Sequence, residues 1–144
     1  MSQGVVAVDG AELSYVREGR GPSLLVIGSA TYYPKAFSPR LRQHFDCIFP
    51  DSRHFVPSFI PDESAAPLTI DDCAEDVETV RQHLGVERMV VLGHSVHAQI
   101  ALAYARRYPS QTSHLVLVCG VPYAFAEFQE AAARFVDDEA LSER

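Results

Sequence analysis

The sequence predicts an α/β protein built on a mostly parallel, doubly wound sheet. Residues 23–27, 89–93 and 114–119 are short apolar runs without the alternation of a strand that faces water on one side. Residues 69–84 and 96–108 instead carry apolar side chains at helical spacing. Strands buried on both faces that alternate with amphipathic or buried helices are typical of this fold class.

Length, composition and charge narrow the class further. The 144 residues are enough for one core and too few for two ordinary domains, and the hydrophobic share of 47% is that of a globular protein. A net charge of −7 without a basic run argues against a nucleic-acid partner. No apolar run approaches membrane-spanning length and no leader precedes the first strand, so the sequence predicts a cytoplasmic protein without a membrane partner.

Neither the cysteines nor the histidines form a metal-binding pattern. Cys47, Cys73 and Cys119 are odd in number and widely spaced, and each is expected to pack as a small hydrophobic residue. His94 and His97 are three residues apart, but no third ligand follows nearby. The sequence therefore predicts no metal and no cofactor.

The amino-terminal half predicts a hairpin followed by two strands. Asp9-Gly10 is a strong hairpin signal between two extended runs. Tyr32-Tyr33-Pro34 predicts a bend, and Ser38-Pro39 supplies a helix cap and a first-turn proline. The predicted elements are strands at 5–8, 12–18 and 23–27, a short helix from 38 through 43, and a strand at 45–49.

The second half predicts two helices around the strand at 89–93. Thr69, followed by acidic residues at 71 and 72, is a capping signal for the start of a helix. Gly85 is expected to end that helix. The helix at 96–108 is apolar almost all round, so it is expected to be buried. The strand at 114–119 closes the predicted sheet.

Ser95 lies where the apolar strand gives way to the second helix. At such a corner the chain turns tightly, and the serine hydroxyl is exposed at the carboxyl end of the sheet. The amide of Val96 would lie at the helix N-terminus, where it can stabilise a developing oxyanion. This pattern predicts a serine nucleophile.

Residues 93–96, Gly-His-Ser-Val, resemble the nucleophile elbow of the α/β-hydrolase superfamily, and in particular of its proline-iminopeptidase-like and esterase members. Gly93 and Ser95 match the G-x-S-x-G pattern, whereas His97 replaces the final small residue. Such a ring must either find room against a neighbouring strand or tilt the helix. The resemblance covers nearly the whole chain.

The resemblance also implies the rest of the site. The third strand of the family usually ends in His-Gly; here the pair is Ile27-Gly28, and the amide of Ser29 is expected to be the second oxyanion donor. Residues 51–58 resemble the family's Asp-x-Arg-Gly-x-Gly-x-Ser loop, in which Asp51 and Arg53 are expected to form an ion pair or anchor the loop. The substrate-contacting residues are expected to be Ala30, His94, Tyr123 and Phe125.

The resemblance divides the chain at the end of the sixth strand. Residues 1–122 correspond to the amino-terminal part of the core, and residues 123–144 to the start of a helical cap. Aromatic residues of that cap either line an acyl pocket or pack the cap onto the core, and the sequence does not separate these interpretations.

In the family the catalytic acid and histidine follow the seventh and eighth strands, which this chain does not contain. A serine without a base is a poor nucleophile, and the sixth strand would be an exposed apolar edge. The favoured explanation is a nicked hydrolase whose second polypeptide fragment supplies the last strands. The alternative is a short protein that pairs with another copy of itself.

The sequence therefore predicts a serine hydrolase that cleaves an ester, lactone, thioester or amide of a small molecule. Two alternatives remain. One is a non-catalytic ligand-binding or interaction protein on the same fold, favoured by His97, Ile27 and the missing catalytic partners. The other is a cofactor-free lyase or oxygenase, because such enzymes of this fold often keep the serine.

Overall fold

The computed structural model describes residues 1–59 and 67–120, and these form a single mixed sheet with helices on both faces. The strands are β1 Ser2–Val8, β2 Ala11–Gly19, β3 Ser23–Ile27, β4 Asp46–Pro50, β5 Met89–His94 and β6 Thr112–Val118. The helices are α1 Tyr33–Ala36, α2 Ile70–His83 and α3 His97–Arg107. Two 3-10 turns, Leu41–Gln43 and Arg53–Phe55, flank β4. The predicted cap at 123–144 lies outside the described residues.

The order of strands across the sheet is β1-β2-β4-β3-β5-β6. The hairpin β1–β2 and the pair β2–β4 are antiparallel, whereas β3, β4, β5 and β6 run parallel to one another. The carboxyl ends of β3, β4 and β5 therefore meet at one edge, which is where ligand sites form in open α/β sheets. The predicted mostly parallel sheet is confirmed.

Both faces of the central strands β3, β4 and β5 are covered, as the continuous apolar strands predicted. Neighbouring side chains of a strand point to opposite faces, so Leu25 and Ile27 pack into one cluster while Leu24 and Val26 pack into the other. The first cluster lies beneath α2 and α3, and the second includes Tyr33 of α1. The β3 residues from Leu24 to Ile27 are each at most 4% exposed.

Local chemistry explains why most elements begin and end where they do. Gly10 takes φ +72° in the two-residue turn of the predicted hairpin. Thr69 and Asp72 form a reciprocal capping box at the start of α2, and Gly85, with φ +64°, follows the end of that helix. These three predictions from the sequence are confirmed.

Four predictions are corrected. The bend at 32–34 is the start of α1, and the helix predicted from Ser38 shrinks to a 3-10 turn at Leu41–Gln43. Cys119 is exposed, unlike Cys47 and Cys73, because it follows the edge strand β6. Helix α3 is not buried all round: Leu102 is 45% exposed, since no described element lies beyond β6 to cover that face.

No helix in the described part of the chain has the length and apolar character needed to cross a bilayer.

Candidate active site

Ser95 occupies a strained corner between β5 and α3. Its φ of +55° lies in the left-handed region, where a residue with a Cβ is unfavourable by roughly 1–2 kcal/mol. The Ser95 amide donates to the carbonyl of Val118 in β6 at 2.9 Å, and its own carbonyl accepts from the Ala98 amide at 3.1 Å. These bonds hold the chain in the tight turn that the sequence predicts for a nucleophile.

Gly93 makes this turn sterically feasible. A Cβ placed on Gly93 would lie 2.4 Å from the carbonyl oxygen of His97 and 2.6 Å from the Cα of Ala98. Both contacts are with backbone, which cannot move aside as a flexible side chain would. Helix α3 therefore approaches β5 closely only because residue 93 is glycine, which explains the spacing of glycine and serine in the motif.

The two expected oxyanion donors lie at the same edge of the sheet. Val96 is the N-cap residue of α3, so its amide lies at the positive end of the helix dipole. The residue is 47% exposed. Strand β3 pairs with β5 in a register that places Ile27 opposite Gly93. Two residues further along each strand come Ser29 and Ser95, which brings the loop after β3 beside the elbow.

Hydrogen bonds fix the loop that carries Ser29. Its hydroxyl accepts from the amides of Thr31 and Tyr32 at 3.2 and 3.1 Å. The Ala30 amide donates to the Asp51 carboxylate at 2.8 Å, so that amide is already engaged. Among the described residues no group accepts a hydrogen bond from the Ser29 amide, in contrast to the Ala30 amide.

Asp51 and Arg53 act as separate anchors and not as a pair with each other. Asp51 holds the loop after β3, whereas Arg53 forms a bidentate pair with Asp76 of α2, with Nε 2.7 Å from Oδ2. Arg53 also donates to the carbonyl of Asp9 in the hairpin turn at 2.8 Å. The expected loop anchor is confirmed, and the ion pair forms with a partner from a different element.

His97 has found room against the neighbouring strand, the first of the two outcomes expected for it. Its side chain is buried, and a Cβ on Gly28 would lie 3.0 Å from its Cε1, so glycine at residue 28 makes the space. The ring stacks on His54 with centroids 5.9 Å apart. Burial and the neighbouring His54 lower the pKa of His97, and burial lowers the pKa of His54. Both rings are therefore neutral near pH 7.

His94 faces Tyr33 and not the nucleophile. Its Nδ1 lies 3.2 Å from the Tyr33 hydroxyl, and burial raises the pKa of that phenol. Sequence reasoning missed Tyr33 and His54 as parts of this site. The signal available was the pair of departures from the family pattern, a large ring at residue 97 and a histidine replacing glycine at residue 54.

Within residues 1–59 and 67–120 no imidazole or carboxylate is hydrogen-bonded to the Ser95 hydroxyl, and no group of three or more potential metal ligands occurs. Tyr123 and Phe125 lie outside the described residues. The site shown here thus consists of a constrained serine and two backbone donors.

A family model for the alpha/beta hydrolase fold matches residues 24–141. The chain belongs to the α/β-hydrolase superfamily. Among its relatives is the AB hydrolase superfamily protein YclE of Bacillus subtilis, which is 38% identical. The aligned region covers 98% of this chain and 50% of YclE. A cis-3-alkyl-4-alkyloxetan-2-one decarboxylase of Shewanella oneidensis is 31% identical over 76% of this chain and 36% of the relative.

Solved structures show the same fold. A proline iminopeptidase-related protein from Thermus thermophilus superposes with a TM-score of 0.71 at 29% identity, covering 83% of this chain and 44% of that one. The resemblance to proline-iminopeptidase-like proteins is therefore confirmed. The chain spans half or less of the length of each of these three proteins.

Proposed function

We propose that this α/β-hydrolase chain carries the nucleophile and oxyanion hole of a serine hydrolase. The observation that supports this most directly is the positive φ of Ser95 at the corner between β5 and α3. Strain of this kind is maintained where it presents a reacting group, and here it presents a half-buried hydroxyl beside a helix N-terminus.

In the proposed reaction Ser95 Oγ attacks the carbonyl carbon of an ester, lactone, thioester or amide. The amides of Val96 and Ser29 donate to the oxyanion of the tetrahedral intermediate. A histidine takes the serine proton and passes it to the leaving group, and water then releases the acyl group from Ser95 by the reverse sequence. That histidine and the acid that orients it come from polypeptide outside the described residues.

The exposure of β6 supports a second polypeptide as their source. Val116, Leu117 and Val118 are 37 to 47% exposed, and β6 is the last strand of the described sheet. Adjacent residues of a strand face opposite sides, so apolar surface is open on both faces as well as at the edge. A partner that covers all of it must contribute further sheet and helices, which a single added strand would not do.

Labelling with a serine-directed fluorophosphonate tests the nucleophile. We expect stoichiometric labelling, located at Ser95 by peptide mass spectrometry, and loss of labelling in Ser95→Ala. Ser113→Ala in β6 serves as the matched control and should label normally. Absence of labelling in a folded sample that also contains the polypeptide supplying the base would contradict the proposal.

Denaturing intact mass tests the origin of the base. A second polypeptide of roughly one hundred or more residues beside the 144-residue chain is expected, because domains of this class are that much larger. A sample that labels at Ser95 and contains only the 144-residue species would contradict the two-polypeptide arrangement.

A lyase is the second candidate, favoured by the Shewanella relative. Its name describes a decarboxylase that acts on an oxetan-2-one, which is a four-membered lactone. In that reaction the ring C4–O bond and the bond from C3 to the carbonyl carbon both break, a C3–C4 double bond forms, and the carbonyl carbon leaves as carbon dioxide with both of its oxygens. The amides of Val96 and Ser29 would contact the carbonyl oxygen, and no acyl-enzyme would form. Incubation with a dialkyl β-lactone separates the two, since a hydrolase yields the hydroxy acid and a lyase yields an alkene.

Non-catalytic ligand binding is the third candidate function of the same site. It is favoured by the lack of a base for Ser95 among the described residues. The labelling experiment distinguishes it, because a binding protein has no activated serine.

A further inference from the structure

A pocket of about 400 Å³ opens beside the elbow, and no step of the proposed reaction uses it. We call it the elbow pocket. It lies between the turn after β4, the start of α2 and the start of α3, and its volume is within the range of small-molecule sites. The lining residues that matter here are His54, Leu68, Ile70, Cys73, Val96 and Ile100.

The lining is mostly apolar, with Thr69 and Gln99 as its other members, and it carries no charge near pH 7. Four of these side chains are aliphatic, and burial raises the pKa of the Cys73 thiol to about 11, so it stays protonated. Burial lowers the pKa of His54, which keeps its imidazole neutral. A charged ligand group would lose its water here without gaining a counter-ion, and this is unfavourable.

Val96 connects the elbow pocket to the reacting atoms. Its amide is one of the two proposed oxyanion donors, and its exposed side chain lines the pocket. A substrate whose carbonyl lies at Ser95 thus has the pocket next to the carbonyl carbon. Aliphatic side chains from three separate elements converge at that point.

We propose that the elbow pocket binds an uncharged, apolar chain of the substrate, so that the enzyme selects alkyl-bearing esters or lactones over substrates with a charged chain. This inference rests on the proposed function for the role of Ser95. Its geometry does not depend on catalysis, and binding can be tested without turnover.

The test is titration of the isotope-labelled chain with simple amides, followed by NMR. Hexanamide is expected to shift the amide signals of Ile70, Val96 and Ile100 saturably. Its affinity should exceed that of butanamide by about fourfold for each added methylene, given the free energy of burying a CH₂ group. 6-Aminohexanamide, which keeps the amide and places a charge at the far end of the chain, should bind at least tenfold more weakly.

Two leucine variants form the matched pair. Leu68→Asp places a carboxylate in the elbow pocket and should weaken hexanamide binding at least tenfold, whereas Leu102→Asp on the outer face of α3 should leave it unchanged. The same spectra report whether each variant is folded. Ile70→Trp, which fills the pocket without adding charge, gives the same loss if Leu68→Asp does not fold.

The outcomes separate this inference from the proposed function. Hexanamide binding at the pocket with no fluorophosphonate labelling keeps the pocket and rejects the hydrolase. Labelling of Ser95 with no saturable hexanamide binding, or with shifts confined to β6, overturns the pocket and keeps the nucleophile. Equal affinity for 6-aminohexanamide and hexanamide also overturns it.

Discussion

Ser95 has an unfavourable backbone conformation that a glycine would adopt freely. The left-handed region costs a residue with a Cβ roughly 1–2 kcal/mol, and Ser95 lies there with φ +55°. Comparison of two variants isolates this cost, because neither alanine nor glycine keeps the hydroxyl. We expect Ser95→Gly to have a free energy of unfolding about 1 kcal/mol higher than Ser95→Ala in urea denaturation.

The control for this prediction is the same pair of substitutions at Ser113, in the extended strand β6. There glycine should be the less stable of the two by about 0.5–1 kcal/mol, since it gains only entropy in the unfolded chain. If alanine were the more stable residue at position 95 as well, strain at the elbow would be refuted.

The stacked rings of His54 and His97 make stability depend on pH. Burial lowers both pKa values below the ordinary 6.5, so the unfolded chain binds protons that the folded chain does not. Their contribution is present above pH 6.5 and is lost as the pH falls through and below that value. We expect the free energy of unfolding to decrease from pH 7.5 to pH 5.5, and to decrease less steeply in His97→Phe.

Exposed His114 provides the control, because His114→Phe leaves the stacked rings of His54 and His97 in place and should retain the wild-type slope. The chosen window also avoids Glu78, whose pKa is lowered from 4.5 mainly by its hydrogen bond with Arg81, so that its effect appears only at more acid pH. An unchanged slope in His97→Phe would contradict the assignment.

At this scale the sequence predicted the tight turn at Ser95 but not the surroundings of His97. The glycine and serine spacing is a local signal, since both residues serve one turn. The position of His97 is not local: it depends on Gly28 in another strand and on His54 in a distant turn. A single sequence does not show that the small residue at position 28 leaves the space that the large ring at position 97 fills.

A buried ion pair joins helix α2 to the turn after β4. Arg53 after β4 is bound to Asp76 of α2, with side chains that are 10% and 7% exposed. Removal of one partner leaves a buried charge without compensation, which costs about 3–5 kcal/mol. We expect this loss of unfolding free energy for Asp76→Asn, measured by urea denaturation.

Helix α2 carries its own control for that prediction. Glu75 pairs with Arg107 at the surface, where both side chains are about half exposed, and such pairs contribute roughly 0–1 kcal/mol. Glu75→Gln should therefore change stability by less than about 1 kcal/mol. Similar effects of the two substitutions would show that burial of the Arg53 pair does not matter.

Elements with a complete local signal were predicted well. The hairpin at Asp9-Gly10 and the capping box at Thr69 each depend on residues within four positions of one another. The segment after β3 was predicted less well. Ser38-Pro39 has the chemistry of a helix start, but the chain there must return to β4 within a few residues, which leaves room for only a 3-10 turn at Leu41–Gln43.

At the scale of the whole molecule, the sheet formed by the described residues has two edge strands of different character. Strand β1 belongs to an antiparallel hairpin, whereas β6 is parallel to β5 and exposes Val116, Leu117 and Val118 in succession. A long apolar edge is a surface for pairing with another chain. We expect β6 to be where this chain associates, either with a complementing polypeptide or with a second copy.

Leu117→Lys tests this expectation, because a charged side chain opposes strand pairing at an edge. We expect the dissociation constant of the assembly to rise at least tenfold in sedimentation velocity, while denaturing mass identifies the partner. Val5→Lys is the matched control: Val5 lies in the other edge strand β1 and is 52% exposed, against 47% for Leu117. Equal weakening by both variants, or a chain that is monomeric and without a partner at every concentration, would show that β6 is not the interface.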